Sequence, residues 1–414
     1  MTLSNKEIEV LRVLASRYME IAGLKVHSEK VALWKAINRG KMQRPMVCID
    51  QLPYNELNNN GDFSCQISDP YWRNVEFTLR NSIYTWNHFA VDMVVEPYIT
   101  IPKVIHNSGY GIATDTHTLA LEEDTTARSV HYDNVLKDFE DIEKIKDMEV
   151  TLDVDQTSLR FEEAKEIFKG VAPIVQGHGI GFSLSGWDRL NEYMGLETLL
   201  MDMYDRPEFL HACIERVTEA TIAGIVAADK LQVHDDIANL CHCSYTYTDE
   251  LLPDFGAGKG PTSQNSWAFG LAQLFTTVSP DFFNEFEMPY ITRMAKHFGM
   301  IYYGCCDRMD DRLEFVKKIP NVKKVSCSPW SDRNNFAANI GPDLIMSSKP
   351  SPAFIASESV NWDVVKDDLK ATIYAAKSNG VNLEFILKDI STVHHQPERI
   401  TKWAEIAMQL VENY

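Results

Sequence analysis

The stretch LIMSSKPSPAFIASESVNWDVVKDDLKATIYAAKSNGVNLEFILKDISTVHHQPERITKWAEIAMQL (344–410) alternates two textures twice. Leu344–Ser347 is a short apolar run of β type. Asp363 to Asn379 has amphipathic helical spacing, and Gly380 stands at the stop position. Leu383–Leu387 is a second apolar run, and Pro397 opens a helix through Ile400, Trp403, Ile406 and Leu410. Strands that are apolar on both sides, separated by amphipathic helices, predict a parallel sheet covered on both faces.

The same texture extends towards the N-terminus. Further β-type runs fall at Met46–Ile49, Met93–Glu96, Pro173–Gln176, Leu231–His234, Met300–Tyr303 and Lys323–Cys327. Ser279-Pro280 caps a helix expected to run to Gly299. With the two runs above, eight strands fit a closed α/β (β/α)8 TIM barrel over residues 41–414. No GxGxxG or P-loop follows the early strands, which weighs against a doubly wound open sheet. Residues 1–40 read as an N-terminal helical extension, a cap or a dimer contact. Ser4 and Glu7 form a capping box ahead of Ile8, Leu11, Leu14, Tyr18 and Ile21. Val31, Leu33, Trp34 and Ile37 mark a second helix.

Composition sets the outer limits. The 414 residues are 45% hydrophobic and carry a net charge of −19. So acidic a chain argues against nucleic acid or an anionic membrane as the main partner. No stretch approaches the ~18 apolar residues of a spanning helix, and no signal peptide is read at the N-terminus, so a cytoplasmic protein is expected. Its eight cysteines are then expected as thiols. Cys48 and Cys213 sit in apolar periodic segments and read as small core residues.

Barrel chemistry collects where strands end. Those ends carry Asp50, Gln51, Glu96, His178, Asp235, Asp236, Cys305, Cys306, Lys349, Lys388 and Asp389. Buried carboxylates are costly unless paired, protonated or bound to a cation, so a ring of them points to a site.

Four segments resemble the uroporphyrinogen decarboxylase superfamily, over roughly residues 40 to 412. They are GHGIGFSLSGWDRLNEYMGLETLLMDMYDRPEFLH (177–211), RPMVCIDQLPYNEL (44–57), KLQVHDDIAN (230–239) and LKDISTVHHQPERITKWAEIA (387–407). The departures are informative. Where that family's decarboxylases have an arginine-rich loop for a polyanionic tetrapyrrole, this chain reads Asp50-Gln51-Leu52-Pro53-Tyr54. An acid there repels a polyanion. The corrinoid-dependent methyltransferases of the superfamily resemble one another in a His-x-Cys on the fifth strand and a Cys on the last, which together bind zinc. Here Tyr303, Cys305 and Asp389 stand at those places. The chain looks similar to a branch with YGCC-D/E, SPW and K-D, associated with corrinoid methyl transfer in anaerobic bacteria.

The resemblance implies a methyltransferase moving a methyl group between a small methylated donor and cobalamin on a corrinoid carrier protein. Cys305, Cys306 and Asp389 are its candidate metal ligands, for zinc. Asp235, Asp389 and Glu96 are its candidate catalytic groups. Asp50, Gln51, His178, Asp236, His242, Tyr303, Lys349 and Lys388 are candidate substrate contacts. Several of these have plainer readings. Cys305 and Cys306 could be packed thiols beside a turn. Cys241-His242-Cys243 has the spacing of half a zinc site without the other half. Asp235 and Asp236 could cap a following segment. His394-His395 could be a solvated loop pair. Aromatic residues near the expected mouth, Tyr54 and Tyr245 among them, could cage a methylated cation. The alternative reaction is a metal-free decarboxylase or lyase of a small acid, using Lys349, Lys388 or Arg308 as its cation. A non-catalytic binding protein on the same scaffold is the third reading. A homo-oligomer is left open.

Overall fold

The computed structural model describes residues 3–120, 128–177, 179–235, 240–251 and 260–414. Its centre is built from nine short strands: β1 (Met46–Ile49), β2 (Ile99–Pro102), β3 (Ile174–Gly177), β4 (Ser183–Leu184), β5 (Trp267–Gly270), β6 (Met300–Tyr303), β7 (Val322–Cys327), β8 (Ile345–Ser348) and β9 (Asn382–Leu387). Seven form one parallel sheet in the order β1-β9-β8-β7-β6-β5-β4. β2 and β3 form a separate parallel pair, and Ile180 bridges His234 in parallel. The architecture is α/β and barrel-like. Because the strands are parallel, Asp50, Gly304, Ser328, Lys349 and Lys388 all leave the sheet at one edge.

Most of the expected strands fall within a residue or two of their places, but two do not. Met93–Glu96 is not a strand; the pairing begins at Ile99. Leu231–His234 is the end of a helix, Pro207–Leu231, closed by Gln232 in a left-handed conformation, and only His234 then bridges to a neighbour. The helix expected from Pro280 to Gly299 is two helices, Pro280–Phe286 and Met288–Ala295. Pro289 lacks the N–H that a continuous helix needs and starts the second one instead. β4 and β5 are too short to be read by periodicity. Between β2 and β3 lies an insertion with two antiparallel pairs, Ile105–Asn107 with Val150–Leu152 and Asp115–Ala120 with Arg128–Asp133.

Side chains alternate across each strand, so neighbours on β6 go opposite ways. Tyr302 joins an inner cluster with Met46, Cys48 and Ile386, while Tyr303 packs with the outer helices near Phe283. The helices Asn5–Ala22 and Val26–Asn38 are present as expected. Trp34 and Ile37 are fully buried in that inner cluster, so residues before 40 complete the interior. Among the described residues no helix is long and apolar enough to cross a membrane.

Candidate active site

The site begins with a glycine. Gly304 ends β6 at φ +88°, and a Cβ there would lie 3.2 Å from Ser326 Cβ. Only glycine takes that turn without strain. The turn is then pinned: the Cys305 N–H donates to Asp307 Oδ1 at 2.6 Å, and Ser326 Oγ donates to the Cys305 carbonyl at 2.6 Å.

Two basic groups are brought to this thiol from elsewhere. His242 lies in the two-residue turn of a hairpin, Leu240–Cys241 paired with Ser244–Tyr245, at φ +55°. Its ring stacks on Phe269 at 4.0 Å, and Nε2 is 3.4 Å from Cys305 Sγ. Lys388, just past β9, places Nζ 3.0 Å from the same sulfur, 2.9 Å from Asp389 and 3.4 Å from Gln51 Oε1. Cys306 Sγ lies 3.6 Å from Cys305 Sγ and 3.3 Å from Asp389 Oδ2. Gln51, His242 and Asp389 all hold left-handed backbones. Each costs of order 1–3 kcal/mol, a strain that collects at functional sites.

The electrostatics favour one thiolate. The hydrogen bond from Cys306 does most to lower the Cys305 pKa; burial opposes it, and His242 and Lys388 add to it, giving about 3. The proton resides on Cys306, whose pKa that same contact and burial push up. Burial disfavours the imidazolium of His242, but Cys243 and Cys305 outweigh it and raise His242 to about 9. Burial likewise works against the Lys388 ammonium, and the Cys305 charge reverses that.

These shifts fix a pH dependence. An ordinary thiol titrates near 9.0 and this one near 3, so between those values the unfolded chain binds more protons and stability rises with pH. His242 moves from 6.5 to about 9, so between those values the folded chain binds more and stability falls as pH rises. The slopes offset above 6.5. The buried acids Asp307 and Asp188, raised to about 6 and 7, bind more protons in the folded chain below those values and oppose the thiol's slope there. The thiol's share is therefore read as the stability of the wild type minus that of Cys305→Ser in denaturant melts, which should grow as pH rises from about 3; a difference that does not change with pH would contradict the ionised thiol.

Behind Cys305 lies a carboxyl group of acids that the sequence did not single out. Asp307 is buried, which raises it to about 6. Asp188, in the first turn of the helix after β4, is raised to about 7 by burial and by the charges of Asp307 and Cys305. Burial keeps Glu287 well above the ordinary range, where it accepts from Tyr303 Oη at 2.9 Å. Tyr303, expected among substrate contacts, thus faces Glu287 on the helix side. The signal for Asp188 was its place after a strand, β4, that is only two residues long.

The remaining expected residues divide. Asp50, Glu96 and Asp235 line a cavity of about 430 Å³ whose wall also includes Cys243. Burial raises Asp50, offset in part by the charges of His242 and Lys388, so Asp50 lies where the cavity meets the thiol cluster. Lys349 sits under the site, bonded to Tyr302 and, at 2.8 Å, to Ser347 Oγ. His394 bonds the Ala356 carbonyl at 2.9 Å and serves the loop. His178 and Asp236 lie outside the described residues. As for zinc, imidazole, thiol and carboxylate are suitable ligands in kind. As arranged, however, the Lys388 ammonium neutralises Cys305 and Asp389, and no three His, Cys, Asp or Glu side chains among the described residues are grouped to hold a metal ion.

No protein-family model and no curated protein matches the chain. Among solved structures it is similar to a methyltransferase from Methanosarcina mazei, with a TM-score of 0.52 over 92% of this chain and 98% of that one. Identity is 12%, so the two share a fold.

Proposed function

We propose that this chain is a methyltransferase of the uroporphyrinogen decarboxylase superfamily, on a barrel that β2 and β3 close, and that it passes a methyl group between a small donor and a corrinoid on a partner protein. The observation that carries the reading is the Cys305 thiol, held by His242 and Lys388 where the strands end, with Asp50 standing between this cluster and a cavity of small-molecule size. The shared fold agrees with it. The corrinoid supplies the methyl-accepting or methyl-donating centre when its carrier docks at the mouth. The chain does the rest. Asp50, Glu96 and Asp235 orient the donor. Methyl transfer is an in-line displacement, so this alignment supplies much of the rate. His242, kept protonated by its thiol neighbours, supplies a proton from Nε2 where the departing group is an oxygen anion; a departing amine leaves neutral and needs none.

The three cations expected for the decarboxylase reading are all engaged by other groups. Arg308 is bound to Asp310 at 2.9 Å, Lys349 is buried under Tyr302, and Lys388 is engaged by Cys305 and Asp389. A zinc held by Cys305, Cys306 and Asp389 is the second reading, favoured by their chained contacts at 3.6 and 3.3 Å. It requires Lys388 to leave. Two measurements test the proposal. Reduced corrinoid protein mixed with a panel of methylated donors should show the absorbance change of methylation; none with any donor would refute it. Metal analysis of protein purified without chelator should find no stoichiometric zinc. About one zinc per chain, lost in a Cys305→Ser, Cys306→Ser variant, would replace Lys388 by the metal.

A further inference from the structure

The cavity beside the thiol cluster has walls of a particular kind. Its three acids, Asp50, Glu96 and Asp235, are joined by the rings of Tyr18, Tyr54, Tyr245 and Tyr247. Among its described lining residues there is no lysine, arginine or histidine. Tyr245 and Tyr247 stack in parallel at 5.9 Å, and their hydroxyls are tied back, one accepting from the Val94 N–H at 3.2 Å and the other donating to Glu96. Tyr54 is held edge-on by Phe63 and Phe77, each at 5.1 Å. The rings are therefore fixed in place.

We propose that this cavity binds a small methylated ammonium compound. At about 430 Å³ it is within the size range of small-molecule sites, about 300–1,000 Å³. An anionic ligand would meet three carboxyl groups and no base. A neutral apolar ligand would have no use for the acids and would leave them in a drier environment. A quaternary nitrogen offers no N–H to hydrogen-bond, so rings and nearby carboxylates are the groups that recognise it. Tyr18 comes from the first helix, so the N-terminal extension helps select the ligand. The fate of the ligand rests on the methyl-transfer reading; its charge and shape rest on the cavity alone.

The test is calorimetry on the full chain with choline and with its neutral isostere, in which a tert-butyl group replaces trimethylammonium. Choline should bind at least about tenfold more tightly. Tyr245→Leu and Glu96→Gln, each checked for an unchanged circular dichroism spectrum, should narrow that ratio several-fold. Equal binding of the two compounds, or no binding of either, would overturn the inference; the wild-type ratio needs no variant to fold. Methyl transfer from methanol without choline binding would keep the proposed activity and refute this ligand class. Selective choline binding without methyl transfer from any donor would do the reverse.

Discussion

Cys305→Ser should lower methyl transfer from an oxygen-bound donor by about 10²-fold or more, the scale seen when a general acid is disabled. The size of the effect follows from what the sulfur holds together. Its charge keeps His242 protonated and Lys388 ionised in a buried place. Serine has nearly the same shape but stays neutral, so the imidazole keeps Cys243 but loses Cys305, and its pKa falls from about 9. The variant should therefore show a second change: any remaining activity should lose the proton donor at a lower pH than the wild type does. Ultraviolet difference spectra at about pH 6 should show one thiolate per chain in the wild type and none in the variant, because an ordinary thiol is almost wholly protonated there. Full activity in Cys305→Ser would remove the sulfur from the mechanism.

Lys324→Met should cost about 3–5 kcal/mol of stability, the usual result of leaving one half of a buried ion pair alone. Lys324 and Glu384 are both fully buried and meet at 2.8 Å. The ammonium also donates to Ser244 Oγ at 2.6 Å and to the Tyr245 carbonyl at 2.9 Å, and Ser244 in turn donates to Glu384 at 2.8 Å. Burial alone would raise the Glu384 pKa, but the charges of Lys324 and Lys349 hold it below the usual carboxylate range. The network grips the hairpin that carries His242, so the damage should reach the site. Urea melts should show the loss, and the thiolate signal of Cys305 should weaken with it. The double variant Lys324→Met, Glu384→Leu removes both charges and should recover most of the stability without restoring the hairpin. If the single variant loses under about 1 kcal/mol, the pair is not the anchor described.

The sheet was legible because its strands are short apolar runs bounded by helix caps. Met300–Tyr303, Leu344–Ser347 and Leu383–Leu387 needed only period and punctuation to be found. β4 and the Ile180–His234 bridge were not legible, because two residues have no period. The strand expected at Leu231 failed for a related reason: an apolar run at the end of a long helix looks the same as a strand. In the site, Cys305, Lys388, Asp389 and Asp50 could be read from their position after strands. His242 was read as half of a metal motif or as a substrate contact, and not as a partner of Cys305, 63 residues away. Asp188 was passed over, since an acid in the first turn of a helix reads as a cap until its burial is known, and Asp307, since an acid in a loop reads as solvated until its burial is known.

The sequence by itself determined an acidic α/β chain of parallel strands, with thiols and carboxylates gathered at the strand ends, because side-chain period and strand polarity are local properties. Which charge each group carries was decided only by tertiary structure. Cys305 is favoured as the thiolate because the next residue, Cys306, donates to it, and because a hairpin turn and a strand end, far apart in the chain, set an imidazole and an ammonium against it. Coulomb energy depends on distance and burial, and neither is written in residue order.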